Sequence, residues 1–250
     1  MFKYLSLAVL FNTYINADAA PSKALYFQEE STINMLGIRD LHDHLMFYLI
    51  LVLILVSYFL IVNILQINIP LKINAFVHDS FIEVIWTLSP ALILLFISIP
   101  TFKLLYLLDS HDFKPLLTVK IIGNQWFWNY EFVDYLNCNV EITSYPLDNV
   151  SNGNLRLLDT DNRFWLPVNT PLRLLFTSND VMHSWAVPSF GIKMDCIPGR
   201  INSTNLFIFR KGLYFGQCSE LCGIAHYNMP IAIEVVSLKD FILWLKTVRA

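Results

Sequence analysis

The sequence predicts a membrane-anchored protein: a transmembrane hairpin of two helices, then a β domain of sandwich or barrel type that closes with a short helix. Three observations carry this. Leu45–Leu65, LMFYLILVLILVSYFLIVNIL, contains no charged residue and meets the roughly 20 residues that a bilayer-spanning helix needs. Phe81–Leu108 is a second long apolar segment. After Leu108 the chain breaks into short β-prone runs separated by Asn, Asp, Gly and Pro clusters, the pattern of an all-β domain.

Each element follows in order. The start, MFK then YLSLAVLF then ADAA, joins a charged end, an apolar stretch too short to span and an A-x-A pattern at Ala17–Ala19. Residues 1–20 therefore read as a removable leader or, alternatively, a plain amphipathic tail, with 21–44 as an N-terminal segment. The hairpin occupies 45–108, with spans at about 45–65 and 81–108. The second span carries Glu83, Pro90, Pro100 and Lys103, and each proline should kink it. The loop at 66–80 holds only Lys72 as a firm cation, so charge bias says little about orientation. Two spans still put both termini on one side. Residues 109–250 form the β domain, with apolar runs LTVKIIG, LRLLD, PLRLLFTS, NLFIFRKGLYFG and MPIAIEVVS. The last segment, LKDFILWLKTVRA, sets Leu238, Phe241, Ile242 and Leu245 on one helical face.

Composition narrows the function. Of 250 residues 55% are hydrophobic and 15% charged, with a net charge of −3. No basic run or basic-aromatic interleaving is present, so nucleic acid is excluded as a partner class. Four cysteines (Cys138, Cys196, Cys218, Cys222) are too few for a disulfide scaffold in a chain this long.

The chemistry concentrates in GQCSELCGIAHYNMP, residues 216–230, where Cys218, Cys222, His226 and Met229 follow C-x3-C-x3-H-x2-M. One reading is a Cys218–Cys222 disulfide, which leaves His226 and Met229 unexplained. The other is a metal. Thiolate, imidazole and thioether together select copper, since zinc rarely takes methionine and magnesium or calcium want oxygen. Two thiolates can bridge two coppers, given a second histidine from elsewhere. His183 in NDVMHSWAVPSFG is the candidate, and Glu220, between the cysteines, can offer its backbone carbonyl. A site filled by protein ligands is an electron relay. Cys138 and Cys196 have no ligand set around them and read as ordinary thiols.

At this point the chain resembles subunit II of mitochondrial cytochrome c oxidase. The resemblance runs from about Ala24 to the C-terminus and rests on LHDHLMFYLI, EVIWTLSPALIL, GNQWFWNYEF, HSWAVPS, PGRIN and YFGQCSELCG. It implies a cupredoxin-like β-sandwich in the intermembrane space, with both termini on that side and the hairpin in the mitochondrial inner membrane. It implies that cytochrome c gives electrons one at a time to a dinuclear copper centre held by His183, Cys218, Glu220 (carbonyl), Cys222, His226 and Met229. The electrons would pass on to the haem of subunit I, where dioxygen is reduced and protons are pumped. A magnesium ion shared with subunit I would take the Glu220 side chain. Trp126 matches the tryptophan that receives the electron, and Glu83 a glutamate at the mouth of a proton path. Cytochrome c is basic, and Asp134, Asp161 and Asp180 are the expected docking acids. The chain departs from the family after the aromatic stretch, reading VDYLNCNVE where acids are common.

Neighbouring classes fit less well. A quinol-oxidase subunit II lacks the copper ligands. A thioredoxin-type copper chaperone shares C-x3-C but normally has one span. Nitrous-oxide reductase shares the copper motif and needs a far larger catalytic domain.

Overall fold

A computed structural model of the chain describes residues 17–21, 23–66, 78–110, 114–134, 140–147 and 153–248. The part of the expected leader ahead of Ala17, most of the 66–80 loop, and Cys138 lie outside the described residues. Two compact units make up the chain: Gly37–Asp109, and the residues up to Leu36 together with those from Ser110 on.

The chain opens with strand β1 (Ala17–Asp18) and then helix α1 (Ile33–Gln66). Helix α1 starts twelve residues earlier than the first span expected from sequence. Thr32 explains the start: its Oγ1 accepts from Met35 N at 3.1 Å, satisfying one of the donors that a helix N-terminus leaves over. Hydropathy reports only the lipid-facing part and is blind to a polar helical extension such as Arg39–His44. Helix α2 (Ser80–Leu108) is capped by Asp79, whose Oδ1 accepts from Phe81 N at 2.8 Å. Pro90 and Pro100 sit inside α2 without interrupting it. Both helices are long and apolar enough to cross a membrane, and their apolar windows have no buried residue.

The β domain is a sandwich of two sheets. One runs β4 (Val140–Ser144), β3 (Phe127–Phe132), β2 (Leu117–Asn124), β6 (Pro171–Ser178), β9 (Asn202–Phe207). The other runs β5 (Phe164–Pro167), β11 (Pro230–Val236), β10 (Gly212–Cys218), β7 (His183–Val187), β8 (Ile192–Cys196), with β1 also paired to β10. Strand β6, PLRLLFTS, alternates half-buried and buried along its whole length, as a strand with one face on a core must. Tyr130, Phe176, Phe164, Trp185 and Ile233 are fully buried, and Tyr130 stacks on Phe164 with centroids 4.1 Å apart. Burying each such side chain is worth about 1.5–3 kcal/mol.

Two sequence expectations change here. LRLLD forms turns, not a strand, with Leu157 at φ 61, a left-handed backbone that strands do not use. Helix α3 (Leu238–Val248) buries Phe241 and Leu245, while Leu238 and Ile242 are exposed. Trp244 takes their place on the inner face, stacking on Trp165 at 5.5 Å.

The N-terminal segment belongs to the β domain. Asp18 pairs with Arg210, Ser31 N donates to Ser189 O at 3.1 Å and Phe209 N donates to Ser31 O at 3.0 Å. Ser31 and Thr32 are fully buried.

Candidate metal centre

Strand pairing assembles the centre from distant parts of the sequence. Cys218 ends β10 and lies opposite Trp185 of β7, so His183, two residues before Trp185 on the same face, comes beside it. The remaining donors follow Cys218 in one loop that ends in a short 3-10 turn at His226–Asn228, with Met229 leading into β11. Cys218 N donates to Met229 O at 3.1 Å and Ser219 N to Ser184 O at 2.9 Å, pinning the loop at both strands.

The donor atoms converge. Cys218 Sγ and Cys222 Sγ are 3.9 Å apart and are free thiols, far beyond the roughly 2.05 Å of a disulfide. His183 Nδ1 is 3.9 Å from Cys218 Sγ, His226 Nδ1 is 3.5 Å from Cys222 Sγ, and Met229 Sδ is 4.0 Å from Cys222 Sγ. The Glu220 carbonyl oxygen lies 3.4 Å from Cys218 Sγ. His183 and Met229 are almost wholly buried, and so are both cysteines. Two sulfurs flanked by two imidazoles, a thioether and a carbonyl form a soft donor set that fits copper better than zinc or a hard cation.

The thiols differ in acidity. Burial opposes ionisation of Cys218, but hydrogen bonds to His183, Ser184, Glu220 and His226 outweigh it and bring the thiol down to about 6. Burial, then the charge on Cys218, pushes Cys222 up to about 12. The pair thus gives up one proton readily and holds the other, and a bound cation draws off the second.

Trp126 joins the centre through the β2–β3 turn. Its Nε1 donates to Cys222 O at 3.2 Å, and Gln125 Nε2 donates to the same oxygen at 2.8 Å. The contact is one residue wide: a Cβ on Gly223 would sit 3.2 Å from both Gln125 Nε2 and Trp126 Cζ2. Trp128, by contrast, is fully buried, edge-on to His183 at 5.9 Å.

The other expected site residues separate. Asp161 Oδ1 accepts from Tyr145 N at 2.8 Å, and the Tyr145 ring packs on Phe127 at 4.6 Å, so Asp161 lies at the Trp126 end of its sheet. Asp134 accepts from Thr118 N at the other end, past β3, whose length is roughly 17 Å. Asp180 is turned inward onto His183. Glu83 lies in the first turn of α2, paired with His78 at 2.6 Å. Gln125 and Gly123 are partners of the centre that sequence reasoning missed. Gly123 abuts His183 so closely that a Cβ there would lie 2.7 Å from the ring, and no motif marks either residue.

Comparison with known proteins agrees with this geometry. Residues 117–236 match the family described as "Cytochrome C oxidase subunit II, periplasmic domain", and residues 20–104 match "Cytochrome C oxidase subunit II, transmembrane domain". Cytochrome c oxidase subunit 2 of Schizosaccharomyces pombe is 50% identical over 246 residues, covering 95% of this chain and 98% of the relative. The Zea mays protein is 45% identical over 245 residues, covering 94% and 93%. Among solved structures, the periplasmic domain of subunit II from Bradyrhizobium japonicum is 43% identical with a TM-score of 0.50, covering 54% of this chain and 94% of that one. A mixed-disulfide intermediate between a thioredoxin-like protein and subunit II of cytochrome c oxidase is 40% identical with a TM-score of 0.50, covering 56% and 96%. The sandwich, the paired thiols and the two apolar helices have a common explanation: the chain belongs to the cytochrome c oxidase subunit II family.

Proposed function

We propose that this chain receives electrons from cytochrome c, one at a time, at two copper ions held by His183, Cys218, Cys222, His226, Met229 and the Glu220 carbonyl. The observation that carries this is the convergence of two free thiols, 3.9 Å apart, with two imidazoles and a thioether within 4.0 Å of one sulfur or the other. When bound by these residues, copper would supply a centre that takes up and releases one electron at a time. The protein's part is to present both sulfurs as anions, to fix each imidazole, and to keep water off a buried cluster.

Trp126 is the receiving group. Its hydrogen bond to Cys222 O joins the indole to a ligand residue through one short contact. Leu221, Ile224 and Tyr227, on the ligand loop, are 77%, 90% and 67% exposed. Such an apolar crest is rarely left to solvent, and the haem-bearing subunit I is the partner that would cover it. The Glu220 carboxylate would then meet that border, where a shared magnesium ion is expected. Across that border the electron would go on to the haem of subunit I, which would supply the dioxygen reduction coupled to proton pumping.

The two helices would anchor the chain in the mitochondrial inner membrane, with the β domain and both termini on the intermembrane-space side. Glu83 is 26 residues before Asp109 at the end of α2, about 39 Å along a helix, and so would open toward the opposite face, where a proton path begins. Ala17 and Asp18 pair with β10, and residues 1–20 remain the expected leader. A relative caught in mixed disulfide with a thioredoxin-like protein suggests a similar partner here, one that keeps Cys218 and Cys222 reduced until metal arrives.

The test is metal analysis of the purified oxidase with electron paramagnetic resonance. Two coppers in this subunit, with hyperfine structure from one unpaired electron shared by two nuclei, are expected. A single zinc, or a Cys218–Cys222 disulfide in the mature complex, would overturn the reading.

A further inference from the structure

Asp180 stands apart from the other acids because both of its oxygens are committed inward. Oδ1 lies 2.8 Å from His183 Nε2 and accepts from Val181 N at 2.6 Å. Oδ2 accepts from Gln125 N at 2.6 Å. Its partner His183 is fully buried, whereas the Asp180 side chain is 31% exposed. From these contacts we propose that Asp180 is a positioning residue for the metal centre, holding His183 and the Trp126 turn in one frame, and that docking of cytochrome c is not its main task. This rests on the copper reading above.

A carboxylate can only accept, so the proton between Asp180 and His183 sits on Nε2. That directs Nδ1 at Cys218, 3.9 Å away, where a metal would take the place of any proton the two share. The ring angle, and the nitrogen that faces the metal, are therefore set before any metal binds, the usual work of a carboxylate behind a ligating histidine. The second oxygen extends the frame. Gln125 takes its backbone bond from Asp180 and gives its side-chain bond to Cys222 O. One carboxylate thus ties a ligand on β7, the turn carrying Trp126, and the loop carrying Cys222. An amide cannot replace it: if the Asn oxygen serves His183, its NH2 group meets the Gln125 N–H donor to donor.

The two roles separate on charge and geometry, so the experiment uses Asp180→Asn and Asp180→Glu in the intact oxidase. Glu keeps the charge and moves the oxygens by one methylene. For both variants we expect an altered copper hyperfine pattern, with copper affinity reduced about 10–100-fold, and an unchanged ionic-strength dependence of the reaction with cytochrome c. Copper missing from an otherwise assembled variant also supports positioning. Should Asp180→Asn fail to assemble, Asp180→Glu decides alone. A wild-type copper spectrum in Asp180→Glu overturns the inference, as does a wild-type spectrum with flattened salt dependence in Asp180→Asn. If the wild-type subunit holds no copper, the functional reading has failed instead.

Discussion

At the residue scale, space near His183 is as constraining as its hydrogen bonds. Gly123, in β2, lies opposite Trp128 of β3 and Ser178 of β6, and its carbonyl accepts from Asn179 N at 3.1 Å. The strand is therefore fixed from both sides and cannot retreat. A methyl at Gly123 would lie 2.7 Å from His183 Cδ2 and 2.9 Å from Cγ, inside van der Waals contact, so the ring must move. Overpacking of this kind costs about 1–3 kcal/mol. Here the strain falls on a proposed metal ligand anchored at its far nitrogen by Asp180. Gly123→Ala should therefore leave the sandwich folded and lower the copper retained per subunit, read by metal analysis after dialysis against a copper chelator. Full copper retention would mean that the ring has room to spare.

At the element scale, the N-terminal segment shows what sequence patterns reach and what they miss. Strand β1 is two residues long, and its position depends on Arg210, which pairs with Asp18 and Glu29 and lies over the Tyr214 ring at 5.6 Å. Burial raises the Asp18 carboxyl above its ordinary value despite Arg210. Arg210→Ala therefore leaves an ionised, half-buried carboxylate without its partner, at about 1–3 kcal/mol. The sign with pH follows. A raised folded pKa means a penalty that is full when the group is ionised and gone once it is protonated in both states. The thermal midpoint of Arg210→Ala oxidase should thus fall below wild type at neutral pH and approach it as pH drops toward 4. A deficit that is constant with pH would show that lost packing, not the ion pair, matters. None of this was legible in ADAAPSKALYFQEES, because its partners are almost 200 residues away and a two-residue strand has no period. The converging donors could be picked out because four of them fall within one loop, and the spans because apolar length is a property of a contiguous window. The LRLLD run misled for the converse reason: its composition suits a strand, but Leu157 adopts φ 61. The frame of Asp180 and Gln125 lay hidden because the two are 55 residues apart and meet only through the parallel pairing of β2 with β6.

At the scale of the whole molecule, a net charge of −3 gives no general attraction for a basic partner, so steering must come from where the acids stand. Asp161 is exposed and reaches the Trp126 end of the sandwich through Tyr145 and Phe127. Asp134 is equally exposed but lies beyond the far end of β3. If Trp126 receives the electron as proposed, a charge near it acts on the encounter complex that would transfer it. One roughly 17 Å further away is more than a Debye length removed at physiological salt and largely screened. A rim charge changes association and its salt dependence more than the later steps, and an exposed pair is worth about 0.2–1 kcal/mol, or roughly 1.4- to 5-fold in rate. Asp161→Asn should therefore slow the second-order reaction with cytochrome c by that factor at low ionic strength and flatten its decline as salt is added. Copper content and the rate at saturating donor should not change. Asp134→Asn should alter the same plot little. The measurement is oxidation of reduced cytochrome c followed across a salt series, and equal effects from the two variants would mean that docking is spread over the face instead of centred on Trp126.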